Sequence, residues 1–204
     1  MMAYFPFFME MEGTTGLIIG GGKRALHKVK KLLPYGAKLQ LVSDQVLDEI
    51  KVLENVRITE RCFREDDLNP EPDFVVIATE DESENRQIFE MCRKRKIPVN
   101  AVDDIEHCSY IFPALILRGD LSVGISTGGA GPAVCGEIKR QLEELLPENI
   151  DEILTWLKHL RPALKKRFPN EKTRSDVYRK LYLECAGCNR PLTEEEADRI
   201  FDTF

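Results

Sequence analysis

The sequence predicts an α/β protein: a doubly wound parallel sheet, then a hairpin and a helix, then a small helical tail. Three observations carry this. Apolar runs suited to buried strands alternate with helix-period segments between Thr15 and Val102. The first of these runs ends in Gly20, Gly21 and Gly22, which lead directly into a basic helical segment. After Asp104 the alternation stops: two β-rich runs lie too close together for a crossover helix, and the residues past Pro147 follow helical spacing.

Composition sets the outer limits. A chain of 204 residues, 43% hydrophobic and 31% charged, has room for one ordinary domain and a smaller second one. No apolar run reaches the roughly 18 residues that cross a bilayer. The opening MMAYFPFFMEMEG has neither a basic n-region nor a small-residue cleavage site, so the expected location is the cytoplasm, with no membrane partner. A net charge of −6 argues against nucleic acid as a general partner. Between Lys158 and Lys180, however, Lys and Arg far outnumber Glu171 and Asp176, which fits either a solvated helix face or a site for a polyanion. Of six cysteines only Cys185 and Cys188 form a CxxC pair, and no second pair completes a zinc site. The pair precedes a helix instead of opening one after a strand, which disfavours a redox motif, and no metal site is expected.

In chain order, Tyr4 to Phe8 reads as an extended edge segment interrupted by Pro6. Thr15 to Ile19 is the first buried strand. From Lys23, Ala25, Leu26, Val29, Leu32 and Leu33 recur at helical spacing until Pro34 and Gly36 end the helix. Lys38 to Val42 is the second strand, Val46 to Leu53 a short helix, and Val56 to Phe63 the third strand. Phe74 to Ala78, FVVIA, suits a central parallel strand. A helix over Glu84 to Lys96 and a strand over Ile97 to Val102 follow. Ser109 to Leu117 and Leu121 to Ser126, separated by Arg118, Gly119 and Asp120, should pair as a hairpin. Pro132 then opens a helix to about Leu146. Further helices are expected over Ile150 to Phe168, kinked at Pro162, over Asp176 to Leu183, and after the capping-box pair Thr193 and Glu196.

The chemistry begins at the glycines. Gly20, Gly22 and Ala25 fit G-x-G-x-x-A between a strand and a helix, the Rossmann-like arrangement in which backbone N–H groups approach a pyrophosphate. Asp44, at the end of the second strand, is placed to meet an adenosine ribose; as an alternative it caps the next helix. Its negative charge would disfavour a 2′-phosphate, which selects NAD over NADP. Ligands of open α/β sheets bind outside the carboxyl ends of the strands. Gly20 to Gly22, Ser43, Asp44, Thr79 and the pair Asp103 and Asp104 all fall at such ends. Asp103 is either a general base facing the nicotinamide region or a turn residue. Ser126, Thr127, Gly128 and Gly129 form a polar loop that ends at a helix start, where N–H groups can receive a carboxylate or simply make the turn.

The stretches LIIGGGKRALHKVKKLLPYGAKLQLVS, VVIATEDESENRQIFEMCRKRKIPVNAVDD and CSYIFPALILRGDLSVGISTGGAGPAVC, followed by the basic helical tail, resemble the precorrin-2 dehydrogenase and sirohydrochlorin ferrochelatase family. That family includes the amino-terminal module of siroheme synthases. The resemblance implies oxidation of precorrin-2 to sirohydrochlorin with NAD as hydride acceptor, and in some relatives insertion of ferrous iron. It implies that Asp103 is the active-site aspartate, that Gly20, Gly21, Gly22, Lys23, Arg24, Ser43, Asp44 and Thr79 contact NAD, and that Ser126, Thr127, Gly128 and Gly129 bind the tetrapyrrole. It further implies a homodimer built through Leu115 to Leu146. The expected division is then an NAD-binding domain over 1–113, a dimerisation region over 114–147 and a helical tail over 148–204. Thr127 departs from the paired serines of the fused synthases, and the methyltransferase module of those proteins has no counterpart in this sequence. The competing expectation, from another class, is a noncatalytic NAD-sensing module.

Overall fold

A computed structural model describes residues Tyr4 to Phe204; the first three residues of the apolar opening lie outside the described residues. The chain divides into two compact units, Met1–Phe112 and Pro113–Phe204.

In the first unit, β1 (Thr15–Ile19), β2 (Lys38–Ser43), β3 (Val56–Glu60), β4 (Phe74–Ile77) and β5 (Val99–Ala101) form one parallel sheet in the order β3, β2, β1, β4, β5. The helices are α1 (Lys23–Leu32), α2 (Asp48–Lys51) and α3 (Glu82–Arg95). Alternation along each strand assigns the helices to opposite faces. Leu17, Ile19, Val75, Ile77, Val99 and Ala101 point to one side and pack with Ile88 and Cys92 of α3. Ile18, Leu39, Leu41 and Val76 point to the other and pack with Ala25, Val29 and Leu32 of α1 and Ile50 of α2. The sheet is therefore covered on both faces, which is why β1 and β4 read as unbroken apolar runs. The strand order reverses direction between β1 and β4, and that switch point opens a crevice above their carboxyl ends.

Several boundaries differ from the sequence expectation: β3 stops at Glu60 and not at Phe63, and β5 is confined to Val99–Ala101 within the expected Ile97 to Val102. The segment Tyr4 to Phe8 forms no strand. α2 is confined to Asp48–Lys51 because Leu47 N–H is held by the Gly21 carbonyl at 3.0 Å, tying residues before the helix to the glycine turn. The run beginning at Ser109 is divided: Ser109 N–H donates to Val99 O at 2.8 Å, Asn100 and Cys108 form an isolated antiparallel bridge, and the next strand starts only at Ala114, after Pro113.

The second unit opens with the expected hairpin, β6 (Ala114–Arg118) and β7 (Leu121–Ile125), turned at Gly119 with φ +53°. It continues with α4 (Pro132–Leu145), α5 (Ile150–Arg167), α6 (Glu171–Cys188) and α7 (Glu194–Phe201). Pro132 sits in the first turn of α4, where its missing N–H has no intrahelical partner to lose, whereas Pro162 lies inside α5. α6 is longer than its apolar spacing suggested. Asn170 caps its start by accepting Thr173 N–H at 3.0 Å, and Asn189, left-handed with φ +54°, ends it. Cys185 and Cys188 thus close α6. Ile153, Leu164, Val177, Leu181, Cys185, Ala197 and Ile200 make a separate core among α5, α6 and α7.

α7 begins with the capping box anticipated from Thr193 and Glu196: Glu196 N–H donates to Thr193 Oγ1, and Thr193 N–H to Glu196 Oε2. Arg190 forks onto the same carboxylate with two contacts of 2.9 Å, and this pairing draws the Glu196 carboxyl down from 4.5 to about 2. A depressed carboxylate stabilises the fold fully above its unfolded value and loses that contribution as pH falls through the folded one. Glu196→Gln should therefore flatten the stability of the helical unit between pH 4.5 and about 2, as read from acid titration of its helical circular dichroism.

Candidate functional site

The glycine turn owes each residue to a different constraint. Gly20 has φ +111°, and a Cβ there would lie 2.6 Å from the Ala78 carbonyl oxygen, where the β1 and β4 ends meet. A Cβ on Gly21 would lie 2.1 Å from the Gln45 carbonyl oxygen and 2.8 Å from Val46 Cα. A Cβ on Gly22 would meet nothing within 4 Å among the described residues, so no neighbour there requires glycine at that position. The space beside Gly22 leads to the start of α1. That helix has Gly22 as its N-cap, no side-chain cap and no acidic residue in its first turn. Its leading N–H groups are left for an anion. α3 is different: Asp81 accepts from the Ser83 hydroxyl at 2.7 Å and from Glu84 N–H at 3.1 Å and Ser83 N–H at 2.8 Å, and these bonds, the hydroxyl's first, hold its carboxyl below the usual range. α2 carries Asp48 and Glu49 in its first turn. Among the described helices of this sheet, the glycine-turn helix alone offers an uncapped, acid-free start, and its residues fit a dinucleotide pyrophosphate.

The neighbouring strand ends complete the rim. Ser43 Oγ donates to Gln45 O at 2.8 Å and shapes the turn after β2. Asp44 is exposed and is not a helix cap: α2 starts at Asp48 with Leu47 as its N-cap. Thr79 Oγ1 donates to Asn85 Oδ1 at 2.5 Å, and Asn85 Nδ2 returns a bond to Thr79 O at 3.3 Å, fixing the turn between β4 and α3.

Past β5 the chain rises into a compact polar turn. Asp103 is left-handed, with φ +65°, a conformation that Asn and Asp tolerate better than most residues, and its side chain is 68% exposed. Arg24 Nε lies 3.0 Å from Asp103 Oδ2, so the arginine expected at the cofactor directs its guanidinium to the aspartate. Asp104 faces elsewhere, with its Oδ2 2.6 Å from His107 Nδ1, and the His107 ring meets Phe89 edge-on.

Beneath this turn lies Asn100, only 4% exposed. Its Nδ2 donates to Tyr110 O at 3.0 Å and to Cys108 Sγ at 3.3 Å, while its Oδ1 has no hydrogen-bond partner among the described residues. Cys108 donates in turn to Ala101 O and Asp104 O, and burial pushes its thiol up from the ordinary range. Lys28, one helical turn after Arg24, places Nζ 4.2 Å from the Phe112 ring centroid. Arg24 and Lys28 could have been paired from their spacing of four, but no pattern in the sequence connects them to Asp103 or Phe112.

In the second unit the GISTGG loop is held from within. Gly131 N–H donates to Thr127 Oγ1 at 3.2 Å, Gly128 N–H donates to Ser126 Oγ at 3.2 Å, and Gly128 and Gly129 take φ +63° and +89°. Thr127 also accepts from Cys135 Sγ at 3.4 Å. The threonine hydroxyl thereby fixes the loop to the first turn of α4. Several cations of the basic segment are likewise engaged: Lys158 with Asp120, Arg167 with Asp198 and Asp202, and Arg174 with the Phe168 carbonyl.

A parallel sheet in this order, with a glycine turn feeding an uncapped helix at its switch point, defines a dinucleotide-binding protein of the Rossmann class. A family model described as "Putative NAD(P)-binding" matches residues 7–114, and one described as sirohaem biosynthesis protein central matches residues 118–145. The chain belongs to this NAD(P)-binding family. It is similar to the siroheme synthases of Actinobacillus pleuropneumoniae serotype 7 (31% identical, covering 89% of this chain and 38% of the relative) and Ectopseudomonas mendocina (32%, 98% and 44%). The chain thus spans less than half the length of these curated relatives. The solved structure of SirC, a precorrin-2 dehydrogenase, shares the fold with a TM-score of 0.76 at 22% identity, covering 98% of this chain and 100% of that one.

Proposed function

We propose that the chain catalyses NAD-dependent oxidation of precorrin-2 to sirohydrochlorin in siroheme biosynthesis, with Asp103 as its catalytic carboxylate. The observation that carries this reading is the display of Asp103, left-handed and exposed, at the end of β5 in the same sheet whose glycine turn leaves α1 uncapped. Gly20, Gly21, Gly22 and Lys23 would hold the pyrophosphate, with Ser43, Asp44 and Thr79 lining the rest of the cofactor cleft. The exposed Asp44 carboxylate supports NAD over NADP, because a 2′-phosphate would face a like charge. NAD, when bound, supplies the hydride acceptor. Loss of a hydride from a ring carbon must be accompanied by loss of a proton, and Asp103 takes that proton.

Ser126, Thr127, Gly128 and Gly129 contribute to tetrapyrrole binding, and the boundaries 1–113, 114–147 and 148–204 describe its cofactor, dimerisation and tail regions. Val134, Ile138 and Leu145 are exposed on α4, with Leu117 exposed on β6, which supports a homodimer formed through Leu115 to Leu146. Among the described residues no helix is long and apolar enough to cross a membrane, and we assign the activity to the cytoplasm.

Anaerobic incubation of the full chain with precorrin-2 and NAD, followed through tetrapyrrole absorbance and NADH formation, tests the reading. One NADH per sirohydrochlorin is expected. NAD binding without NADH formation would assign the noncatalytic NAD-sensing role instead. The same protein supplied with sirohydrochlorin and ferrous ion, without NAD, decides separately whether it inserts iron.

A further inference from the structure

The proposed reaction leaves one contact unexplained. A carboxylate oxygen that must accept a proton has to be open to the donor, yet Arg24 Nε stands 3.0 Å from Asp103 Oδ2 and occupies that oxygen. Both partners are exposed, at 47% and 68%, and an exposed pair of this kind is weak and exchanges easily. The contact of this pair is made through Nε, and the planar guanidinium carries five donors, more than one carboxylate oxygen uses, so a second carboxylate can engage it in the two-pronged geometry that arginine favours.

Lys28 extends the same helix face by one turn. It lies near Asp103, Cys108 and Lys31, and burial together with Lys31 pushes its ammonium below the ordinary lysine range. With Nζ over the Phe112 ring, it has already lost part of its hydration and has a like charge beside it. An arriving carboxylate relieves both. The basic tail is a weaker candidate for this role, since Lys158, Arg167 and Arg174 are already engaged by groups of their own unit.

We infer that Arg24 and Lys28 form a carboxylate-binding subsite for the acidic tetrapyrrole, and that a substrate carboxylate takes Arg24 from Asp103, freeing the aspartate to accept the proton. The inference rests on the dehydrogenase reading of the same site. Arg24 is then a substrate-side residue that holds the base paired until substrate arrives, and not a contact of the dinucleotide.

The test is anaerobic titration of the full chain with sirohydrochlorin, with NAD binding measured alongside, for the unaltered protein and for Arg24→Gln, Arg24→Lys, Lys28→Gln and Asp103→Asn. Arg24→Gln and Lys28→Gln should weaken sirohydrochlorin binding at least tenfold and change NAD binding less than twofold, and Arg24→Lys should recover part of the loss. Asp103→Asn keeps the left-handed turn while releasing Arg24, and should tighten sirohydrochlorin binding threefold or more. A purely structural arginine would not produce that gain. Unchanged sirohydrochlorin affinity in the Arg24 and Lys28 variants, or equal losses for NAD and tetrapyrrole, overturns the subsite; turnover by the unaltered protein would still uphold the dehydrogenase reading. Absence of turnover with NAD bound overturns that reading and the subsite with it.

Discussion

Asp103→Ala is expected to abolish oxidation of precorrin-2 while leaving NAD affinity within twofold. A positioned general base contributes on the order of 10²–10⁴ in rate, so kcat should fall by at least about 100-fold. Asp103 is exposed at the end of β5 and contributes nothing to the apolar core, so its removal should not unfold the sheet. Alanine does add a local complication: at φ +65° it sits in a left-handed conformation that costs about 1–2 kcal/mol. Asp103→Asn removes that complication, because asparagine adopts this conformation readily and preserves the shape of the side chain. Equal loss of turnover in the two variants would assign the defect to the missing carboxylate. Activity retained by either would show that the proton leaves by another group.

The parts of this molecule that were legible in its sequence are those fixed by local pattern. The run into Gly20, Gly21 and Gly22 announced a strand, a turn and a helix, and FVVIA announced a strand covered on both faces; all of these are present. The hairpin was legible from the short spacing between two β-rich runs, and the capping box at Thr193 fixed the start of α7. What the sequence hid depends on partners distant along the chain. α2 is short because Leu47 answers to Gly21, and α6 is long because Asn170 and Asn189 cap it beyond its apolar stripe. The pairing of Arg24 with Asp103 joins the first helix to the end of the last parallel strand, a contact only the closed sheet creates. The basic segment was visible as charge, but Asp120, Asp198 and Asp202, which engage it, lie on other elements. Asn100 fell inside the expected strand Ile97 to Val102, but its burial was hidden because the groups that meet its amide, Cys108 and the Tyr110 carbonyl, come from beyond the next turn.

The glycine turn should separate folding from binding position by position. Gly20→Ala forces a side chain into φ +111° and against the Ala78 carbonyl, and Gly21→Ala drives a methyl into the backbone at Gln45 and Val46. Left-handed strain and overpacking each contribute roughly 1–3 kcal/mol. Against a typical total of about 5–15 kcal/mol, Gly20→Ala should lower the denaturation midpoint clearly, with Gly21→Ala following it. Gly22→Ala is the opposite case. Its backbone, φ −85°, is ordinary for alanine and its Cβ meets open space, so the change in stability should stay within about 1 kcal/mol. That open space is where a pyrophosphate oxygen must approach the uncapped start of α1, and a methyl group there should weaken NAD at least tenfold, about 1.4 kcal/mol. Thermal denaturation and NAD titration of the three variants check the separation. Among the described residues no contact explains why position 22 is a glycine, so a Gly22→Ala protein that binds NAD as tightly as the unaltered chain would move the pyrophosphate away from this turn.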